Sequence, residues 1–148
     1  MQDIRTTIEA RTEFLSAGDA AAAVAYYAPG ASRFTLAPPL AQTDDARDVL
    51  PLEQWMASFE APPQRTITQL EITTDGDVAF ASSIDSMTFT PKGAPASMTL
   101  WYRTTLGLRR VDGNWLITHE HSSVPFHMDG SLRAAVDLVP PSASSRQG

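Results

Sequence analysis

The segment from Trp101 to Pro125 constrains the fold most strongly, because it predicts two β-strands joined by a tight turn. Its sequence is WYRTTLGLRRVDGNWLITHEHSSVP, in which apolar and polar residues alternate on both sides of Asp112-Gly113. Such alternation is typical of a strand with one buried face, and Asp-Gly favours a hairpin turn. The return strand carries a His-Glu-His motif at positions 119–121. The hairpin therefore combines a fold signal with candidates for proton transfer or metal binding.

The chain before residue 62 predicts three helices and one short strand. Ile4 to Leu15 has helical spacing, and Gly18 is a suitable stop. The alanine-rich run from Ala20 to Ala28 predicts a second helix, which Asp19 caps and Pro29-Gly30 ends. A strand from Ser32 to Leu36 follows, and Asp44, Asp45 and Asp48 then precede a third helix over VLPLEQWMASF (Val49 to Phe59) as capping residues.

After Pro62-Pro63 the period of the apolar residues changes to two and stays there. The predicted strands are Arg65 to Thr74, Val78 to Phe89, Met98 to Val111 and Trp115 to Val124. Helices followed by an antiparallel sheet define an α+β fold, in which the helices cover one face of the sheet.

Length and composition indicate one globular domain. A chain of 148 residues can bury one core, and we predict a single domain over residues 1–139 with a disordered tail over residues 140–148, PPSASSRQG. No apolar run approaches the roughly 20 residues that cross a membrane, and the N-terminal segment lacks the features of a signal peptide. We expect a soluble, cytoplasmic protein with no membrane partner.

Charge and cysteine content exclude several kinds of chemistry. The net charge is −6 and the basic residues do not cluster beyond Arg109-Arg110, which argues against a nucleic-acid partner. The chain has no cysteine, so it has no disulfide, no thiolate metal site and no cysteine nucleophile. We expect neither a cofactor nor a resident metal.

Two segments of the chain resemble the NTF2-like superfamily, which includes ketosteroid isomerase, SnoaL-type polyketide cyclases and the association domain of calmodulin-dependent kinases. The second helix of the isomerase is similar to AGDAAAAVAYYAPGA (Ala17 to Ala31), and the hairpin of the kinase domain is similar to DGNWLITHEHSS (Asp112 to Ser123). A bacterial SnoaL-like subgroup, mostly without an assigned reaction, resembles this chain in LAPPL, W-x-R-x-T, HEH-x-SVPF and DLVP. The resemblance covers most of residues 1–125. It implies a cone-shaped fold in which three N-terminal helices pack on a strongly curved antiparallel or mixed sheet.

The resemblance also implies where the catalytic residues of the isomerase would fall. Its oxyanion-binding tyrosine falls at Arg11, its base aspartate at Thr35, and its second aspartate between Thr105 and Gly107. None of these residues has the required side chain, because threonine has no carboxylate and arginine is a permanent cation. We therefore exclude steroid isomerisation by the Tyr/Asp/Asp mechanism.

The turn register decides which side chains of the hairpin share a face. If Val111-Asp112-Gly113 is a three-residue turn, Arg110 pairs with Asn114 and Glu120 lies on the face opposite the histidines. A pocket-lining arginine of the kinase domain is similar in position to Ser122, which implies that the Glu120 face lines the cavity. The members of this face are Tyr102, Thr104, Leu106, Leu108, Leu116, Thr118, Glu120 and Ser122. A slip of one residue would exchange the faces and bring both histidines into the cavity.

Glu120 is the first candidate for acid or base catalysis, because an apolar cavity raises the pKa of a carboxyl towards neutrality. His119 and His121 are further catalytic candidates. The alternative is that Glu120 only accepts hydrogen bonds from neighbouring Tyr or Thr side chains. The substrate-binding candidates are Tyr27, Trp55, Phe59, Tyr102, Thr104, Thr118 and Ser122.

The opposite face of the hairpin predicts a homodimer interface, since aromatic and arginine side chains are favoured there. The predicted interface residues are Trp101, Arg103, Trp115, His119 and His121, and the same face also carries Thr105, Arg109, Ile117 and Ser123. We favour this over a metal site in which Asp85 or His127 would join the two histidines. Asp85 could instead form an ion pair with Arg103, and residues 126–129 could cover the cavity or contact a partner.

Two functions from different classes remain. The first is a cofactor-independent isomerase, cyclase, dehydratase or hydrolase that acts on a small apolar, ring-containing molecule by acid/base chemistry, with Glu120 transferring the proton. The second is a non-catalytic ligand-binding or dimeric association domain. Fold alone does not decide between them.

Overall fold

The structure is a computed structural model that describes residues 3–141. Its elements in chain order are α1 (Ile4–Ala17), α2 (Ala20–Val24), β1 (Tyr27–Phe34), α3 (Val49–Met56), β2 (Gln64–Asp75), β3 (Val78–Phe89), β4 (Met98–Val111) and β5 (Asn114–Ser123). The predicted α+β fold, with helices ahead of a curved sheet, is confirmed. Of the predicted tail, residues 142–148 lie outside the described residues. No helix in the described part is long and apolar enough to cross a membrane.

Helix α1 begins and ends where the sequence indicates, and its buried stripe contains one charged residue. The Asp3 carboxylate accepts the Thr6 N–H at 2.7 Å, and Gly18 ends the helix with a φ of 79°. The buried positions Ile4, Ile8, Arg11 and Leu15 are spaced by four, three and four residues, so they lie on one helix face. Helical geometry therefore carries Arg11 into the protein together with its apolar neighbours.

Helix α2 is shorter than predicted, and β1 begins earlier than predicted. Asp19 caps the helix as expected, but the helix ends at Val24 and the chain joins the sheet at Tyr27. The Tyr26 carbonyl accepts the Ile117 N–H at 2.8 Å, and Tyr27 pairs with Ile117. Pairing with a distant strand thus overrides the local helix preference of this run.

The five strands form one sheet in the order β1-β5-β4-β3-β2. All neighbours are antiparallel except β1 and β5, which are parallel. The inner face of the sheet packs against the helices, and its fully buried centre contains Leu106, Leu108 and Ile117. The outer face carries Phe34, Phe80, His119 and His121.

The predicted register of the β4–β5 hairpin is wrong, by one residue near the turn and by two residues beyond a bulge. Val111 pairs with Asn114, so the turn has two residues, Asp112 and Gly113, both with positive φ. Further along, Gly107 pairs with His119 and Leu108 with Ile117, which leaves Thr118 as an extra residue on β5. Each shift moves the pairing by one residue, and together they restore the predicted faces.

Three aromatic or apolar residues of β5, Trp115, Leu116 and Ile117, lie on the face opposite to the predicted one. Trp115 and Ile117, which were predicted on the outer face with the histidines, are 7% and 0% exposed and belong to the core. Leu116 and Thr118 were predicted to face the cavity and do not line it. The alternation of side chains was read correctly, but a bulge cannot be located by alternation alone.

Candidate functional site

A cavity of about 290 Å³ opens between the helices and the inner face of the sheet. One wall is apolar and includes Leu15, Leu52, Trp55 and Met87. The polar part of the lining, here called the polar end, consists of Arg11, Tyr27, Arg33, Arg65, Tyr102 and Glu120. The loop between β1 and α3 contributes Thr35, Leu36 and Gln42 to the rim. The cavity therefore contains more charged side chains than the apolar pocket with a few polar groups that the sequence predicts.

Three side chains of the polar end form a closed hydrogen-bonded triad. The Arg11 Nη2 group donates to the Tyr27 hydroxyl at 2.7 Å and to Glu120 Oε2 at 2.9 Å. The Tyr27 hydroxyl donates in turn to Glu120 Oε1. The side chains of Arg11 and Glu120 are only 9% and 12% exposed, so this is a buried ion pair with a third hydrogen-bonded member.

The triad lowers the pKa of Glu120, whereas the sequence predicts a raised pKa. Burial raises the pKa of the Glu120 carboxyl, but the Arg11 guanidinium and the Tyr27 hydrogen bond outweigh burial and hold the pKa below its ordinary value. The expected raised pKa is therefore wrong. Burial and the adjacent Glu120 charge raise the pKa of Tyr27, which stays protonated. Glu120 is consequently an ionised carboxylate at neutral pH and can act as a base but not as an acid.

The other two arginines of the polar end come from the two edge strands of the sheet. Arg33 on β1 donates to Asp44 Oδ1 at 2.7 Å. Arg65 on β2 donates from Nη1 to the Tyr102 hydroxyl at 3.3 Å, and its guanidinium lies 5.8 Å from the centroid of the Trp55 ring. Within residues 3–141 no carboxylate oxygen lies within 4.0 Å of the Arg65 guanidinium. Curvature of the sheet brings side chains from both edges into one cavity.

A second, inner cavity of about 20 Å³ lies behind the polar end and contains Asp85. Asp85 pairs with Tyr102 across β3 and β4, so both side chains point inward. Its Oδ1 atom is buried and has no hydrogen-bond partner in the described part of the chain. Burial raises the pKa of this carboxyl more than hydrogen bonds from Ser83 and Thr104 lower it. The proposed pairing of Asp85 with Arg103 is wrong, because Arg103 lies on the outer face and bonds to Ser123.

The candidate site residues from the sequence fall into three groups. Glu120, Tyr27, Trp55, Tyr102 and Ser122 line the main cavity, whereas Thr104 lines only the inner one. Phe59 lies beyond the end of α3 and packs edge-on against Trp55 and Phe89, outside the cavity lining. Thr118 is the bulge residue and lines neither cavity.

His119 and His121 lie on the outer face of β5, away from the cavity. Ser32 Oγ lies 2.7 Å from His119 Nδ1, and the Phe34 ring meets both imidazoles edge-on at 4.7 and 5.4 Å. His127 lies 2.9 Å from Asp137 instead of approaching these rings, and Asp85 is on the other face of the sheet. Residues 3–141 accordingly bring no three His, Asp or Glu side chains together as metal ligands. The histidines cannot act on a molecule in the cavity.

The arginines of the polar end were missed as functional residues. Arg11 was detectable in principle, because it continues the helical stripe of Ile4, Ile8 and Leu15. Arg33 and Arg65 carry no comparable local signal. Arg33 reaches Glu120 only because β1 pairs in parallel with β5, a contact between segments more than 80 residues apart.

Fold and cavity together define a protein of the NTF2-like class, a cone of helices and curved sheet around a ligand-sized space. The model of the SnoaL-like domain matches residues 4–127. The chain therefore belongs to the SnoaL-like domain family. No curated protein matches the chain.

Solved structures support the same fold. An NTF2-like protein of unknown function from Pseudomonas putida KT2440 is 28% identical, with a TM-score of 0.78 over 93% of this chain and 94% of that one. A candidate scytalone dehydratase from Novosphingobium aromaticivorans is 15% identical, with a TM-score of 0.73 over 94% and 93%. A candidate calcium/calmodulin dependent protein kinase II association domain from Xanthomonas campestris is 20% identical, with a TM-score of 0.69 over 81% and 84%. At these identities the last two show the fold alone.

Proposed function

We propose that this protein is a cofactor-independent enzyme that binds a small ring-containing molecule and removes a proton from it with Glu120. The observation that carries the proposal is an ionised carboxylate at the polar end of a cavity of about 290 Å³. This volume is at the lower end of ligand pockets. An isomerase, a cyclase and a dehydratase can share one step, the removal of a proton from a carbon next to a carbonyl group.

The side chains around Glu120 suit this step. Glu120 takes the proton, the C–H bond breaks, and its electron pair moves towards the carbonyl oxygen to give an enolate. Tyr102 is the candidate donor to that oxygen, because burial raises the pKa of its hydroxyl, which remains protonated. Arg65 donates to the Tyr102 oxygen and thereby favours donation of the Tyr102 proton. The histidines take no part, since they lie on the other face of the sheet.

The test is hydrogen–deuterium exchange at the carbon next to a carbonyl, followed by proton NMR in D₂O. Suitable probes are 2-tetralone and cyclohexanone, which are small cyclic ketones. We expect exchange above background with the wild type and at least a ~100-fold loss in Glu120→Gln. Glu13→Gln is the matched control, because Glu13 is an exposed glutamate of α1. Equal exchange by the wild type and Glu120→Gln would exclude Glu120 as the base.

The pH dependence gives a second readout of the same assignment. Because the triad lowers the pKa of Glu120, the acid limb of kcat/KM for exchange should lie below 4.5, the ordinary glutamate value. An acid limb well above 4.5 would assign the step to another group.

A non-catalytic ligand-binding domain is the second candidate, and one observation favours it. Both carboxylate oxygens of Glu120 already accept hydrogen bonds, one from Arg11 and one from Tyr27. Such a carboxylate could serve only to hold the polar end together. Binding of the probes without any exchange would support this candidate over the enzyme.

We also propose that the chain forms a homodimer through the outer face of the sheet. The exposed fractions of Phe34 and Phe80 on this face are 38% and 55%. His119, His121, Arg103 and Trp101 extend the same face, and aromatic and arginine side chains are enriched at interfaces. The structural likeness to an association domain agrees with self-association.

Analytical ultracentrifugation at micromolar concentration tests the dimer. Phe34→Glu should shift the population to monomers, because it places a charge between the two imidazoles of this face. Leu40→Glu is the matched control, since Leu40 is 99% exposed and lies in the loop after β1. A monomeric wild type, or a dimer that survives Phe34→Glu, would refute this interface.

A further inference from the structure

We propose that the cavity selects a ligand with a carboxylate group, which binds to Arg65 while its ring lies against the apolar wall. The inference rests on the proposed function for the location of the ligand, but it requires only binding and no catalytic step. It assigns to this site a substrate class, small cyclic carboxylic acids.

The pairing of charges in the main cavity singles out Arg65. The Arg11 charge is matched by Glu120 at 2.9 Å, and the Arg33 charge by Asp44 at 2.7 Å. Arg65 also lines the cavity, but in the described part of the chain no carboxylate lies within 4.0 Å of its guanidinium. Among the described residues, the main cavity therefore contains one cation, Arg65, whose charge is not matched by a direct ion pair.

The geometry of Arg65 leaves most of its donors available to a ligand. A guanidinium has five N–H groups in a planar fork, which matches the two oxygens of a carboxylate. The only hydrogen bond of the Arg65 guanidinium within the described residues is the long one to Tyr102, at 3.3 Å. The Trp55 ring lies on one side of it, and the Arg65 backbone N–H donates to Ser16 Oγ at 3.0 Å. The guanidinium is thus held between Trp55 and Tyr102 while most of its donors remain free for a ligand.

Two other acidic groups near Arg65 do not take the place of a ligand carboxylate. Asp48 caps α3 and accepts the Leu50 N–H at 3.1 Å. Asp85 faces the inner cavity, which Arg65 also lines, but it lies beyond ion-pair distance. Burial disfavours the charged form of Asp85, so it competes weakly for Arg65.

The wall next to Arg65 determines the rest of the ligand. Leu52, Trp55 and Met87 present apolar surface and one aromatic ring beside the guanidinium. A carboxylate on Arg65 would lie next to the Tyr102 hydroxyl, and the ring attached to it would pack against Trp55. Attachment of the carboxylate would therefore orient the ring in the cavity, which lowers the entropic cost of any reaction at the polar end.

The test is a titration with three acids and their neutral amides, followed by isothermal calorimetry and NMR. The pairs are benzoate with benzamide, phenylacetate with phenylacetamide, and cyclohexanecarboxylate with cyclohexanecarboxamide. We expect at least one acid to bind the wild type at least about 10-fold more tightly than its amide, because charge-assisted bidentate hydrogen bonds are stronger than neutral ones. Arg65→Gln should abolish this preference, and Arg65→Lys should retain only part of it.

Two variants serve as controls. Arg109→Gln removes an exposed arginine that lines neither cavity and should keep the preference of the wild type. Thermal unfolding must show that Arg65→Gln is folded; if it is not, the Arg65→Lys variant decides, because it keeps the charge and loses the planar fork.

Several outcomes would overturn the inference. These are amides that bind as tightly as the acids, a preference that survives Arg65→Gln, and a panel in which no acid binds. None of them depends on turnover, so they are distinct from a failure of Glu120 in the exchange assay. Binding of an acid through Arg65 by a protein that does not exchange the cyclic ketones would retain this inference and refute the proposed reaction.

Discussion

Replacement of Arg11 by methionine isolates the energetics of the triad. Methionine keeps much of the length of the side chain and its apolar contacts but removes the charge and both hydrogen bonds to Tyr27 and Glu120. The Glu120 carboxylate would then be buried, at 12% exposure, with Tyr27 as its only partner in the triad. Removing one partner of a buried ion pair typically costs about 3–5 kcal/mol. In a domain of this size that corresponds to a fall in Tm of roughly 6–20 °C.

The loss should depend on pH in a defined direction. In the wild type the pKa of Glu120 is lowered, so its contribution to stability is present above the ordinary value of 4.5 and is lost as the pH falls through the folded-state pKa. Without Arg11 the remaining effect of burial raises the pKa of Glu120. Protonation of Glu120 at low pH then removes the unpaired buried charge from the variant, and its loss of stability becomes smaller. The stability difference between the two proteins should therefore shrink as the pH falls from 7 to 4.

Urea denaturation, followed by circular dichroism and tryptophan fluorescence, measures this difference at each pH. The matched control is Arg5→Met, which removes an arginine of the same helix from an exposed pair with Glu9 at 4.0 Å. That pair contributes no more than about 0.5 kcal/mol. The double variant Arg11→Met/Glu120→Met leaves no charge in the triad and should recover much of the loss. A cost for Arg11→Met as small as that of Arg5→Met, or one that is independent of pH, would refute the reasoning.

Two further predictions concern a buried acid and two glycines. Asp85→Asn should stabilise the protein at pH 7. Because burial raises the pKa of Asp85, its contribution to stability is favourable only in acid and is lost as the pH rises through the folded-state pKa, so the stability gain of the variant should disappear on acidification. A loss of stability at pH 7 in urea denaturation would contradict this. Gly18→Ala should destabilise more than Gly30→Ala, because both have positive φ, at a cost of about 1–2 kcal/mol each, but only at Gly18 would the new Cβ meet Pro62 Cγ at 2.7 Å. Equal melting temperatures for these two variants would show that Pro62 moves away from the new Cβ without a loss of stability.

The predictions from local pattern were the accurate ones. The three helices, the strand pair β3 and β4, and the caps at Gly18, Asp19 and Asp48 follow from periodicity and from residues that satisfy free backbone groups. The errors lie where distant strands compete with local preference. Tyr27 leaves its expected helix to pair with Ile117, and the bulge at Thr118 returns Trp115 to the core.

The candidate site was predictable only in part, and for the same reason. Glu120 was found because it alternates with its neighbours on a strand, yet its pKa was misjudged, because the sequence does not show that Arg11 lies against it. Arg33 and Arg65 escaped notice, since their convergence depends on the curvature of the whole sheet.

The sequence by itself determined the α+β class and the order of the elements, because these depend on periodicity and on turns within a few residues. The side of β5 on which Glu120 lies followed from the resemblance of the hairpin to the kinase domain, since the turn register alone was wrong. Only the tertiary structure decided the ionisation state of Glu120. Its charge depends on a guanidinium 109 positions away along the chain, and the electrostatics of a buried group are set by its neighbours in space. The His-Glu-His motif thus contributes an ionised carboxylate to the cavity and two imidazoles to the outer face of the sheet.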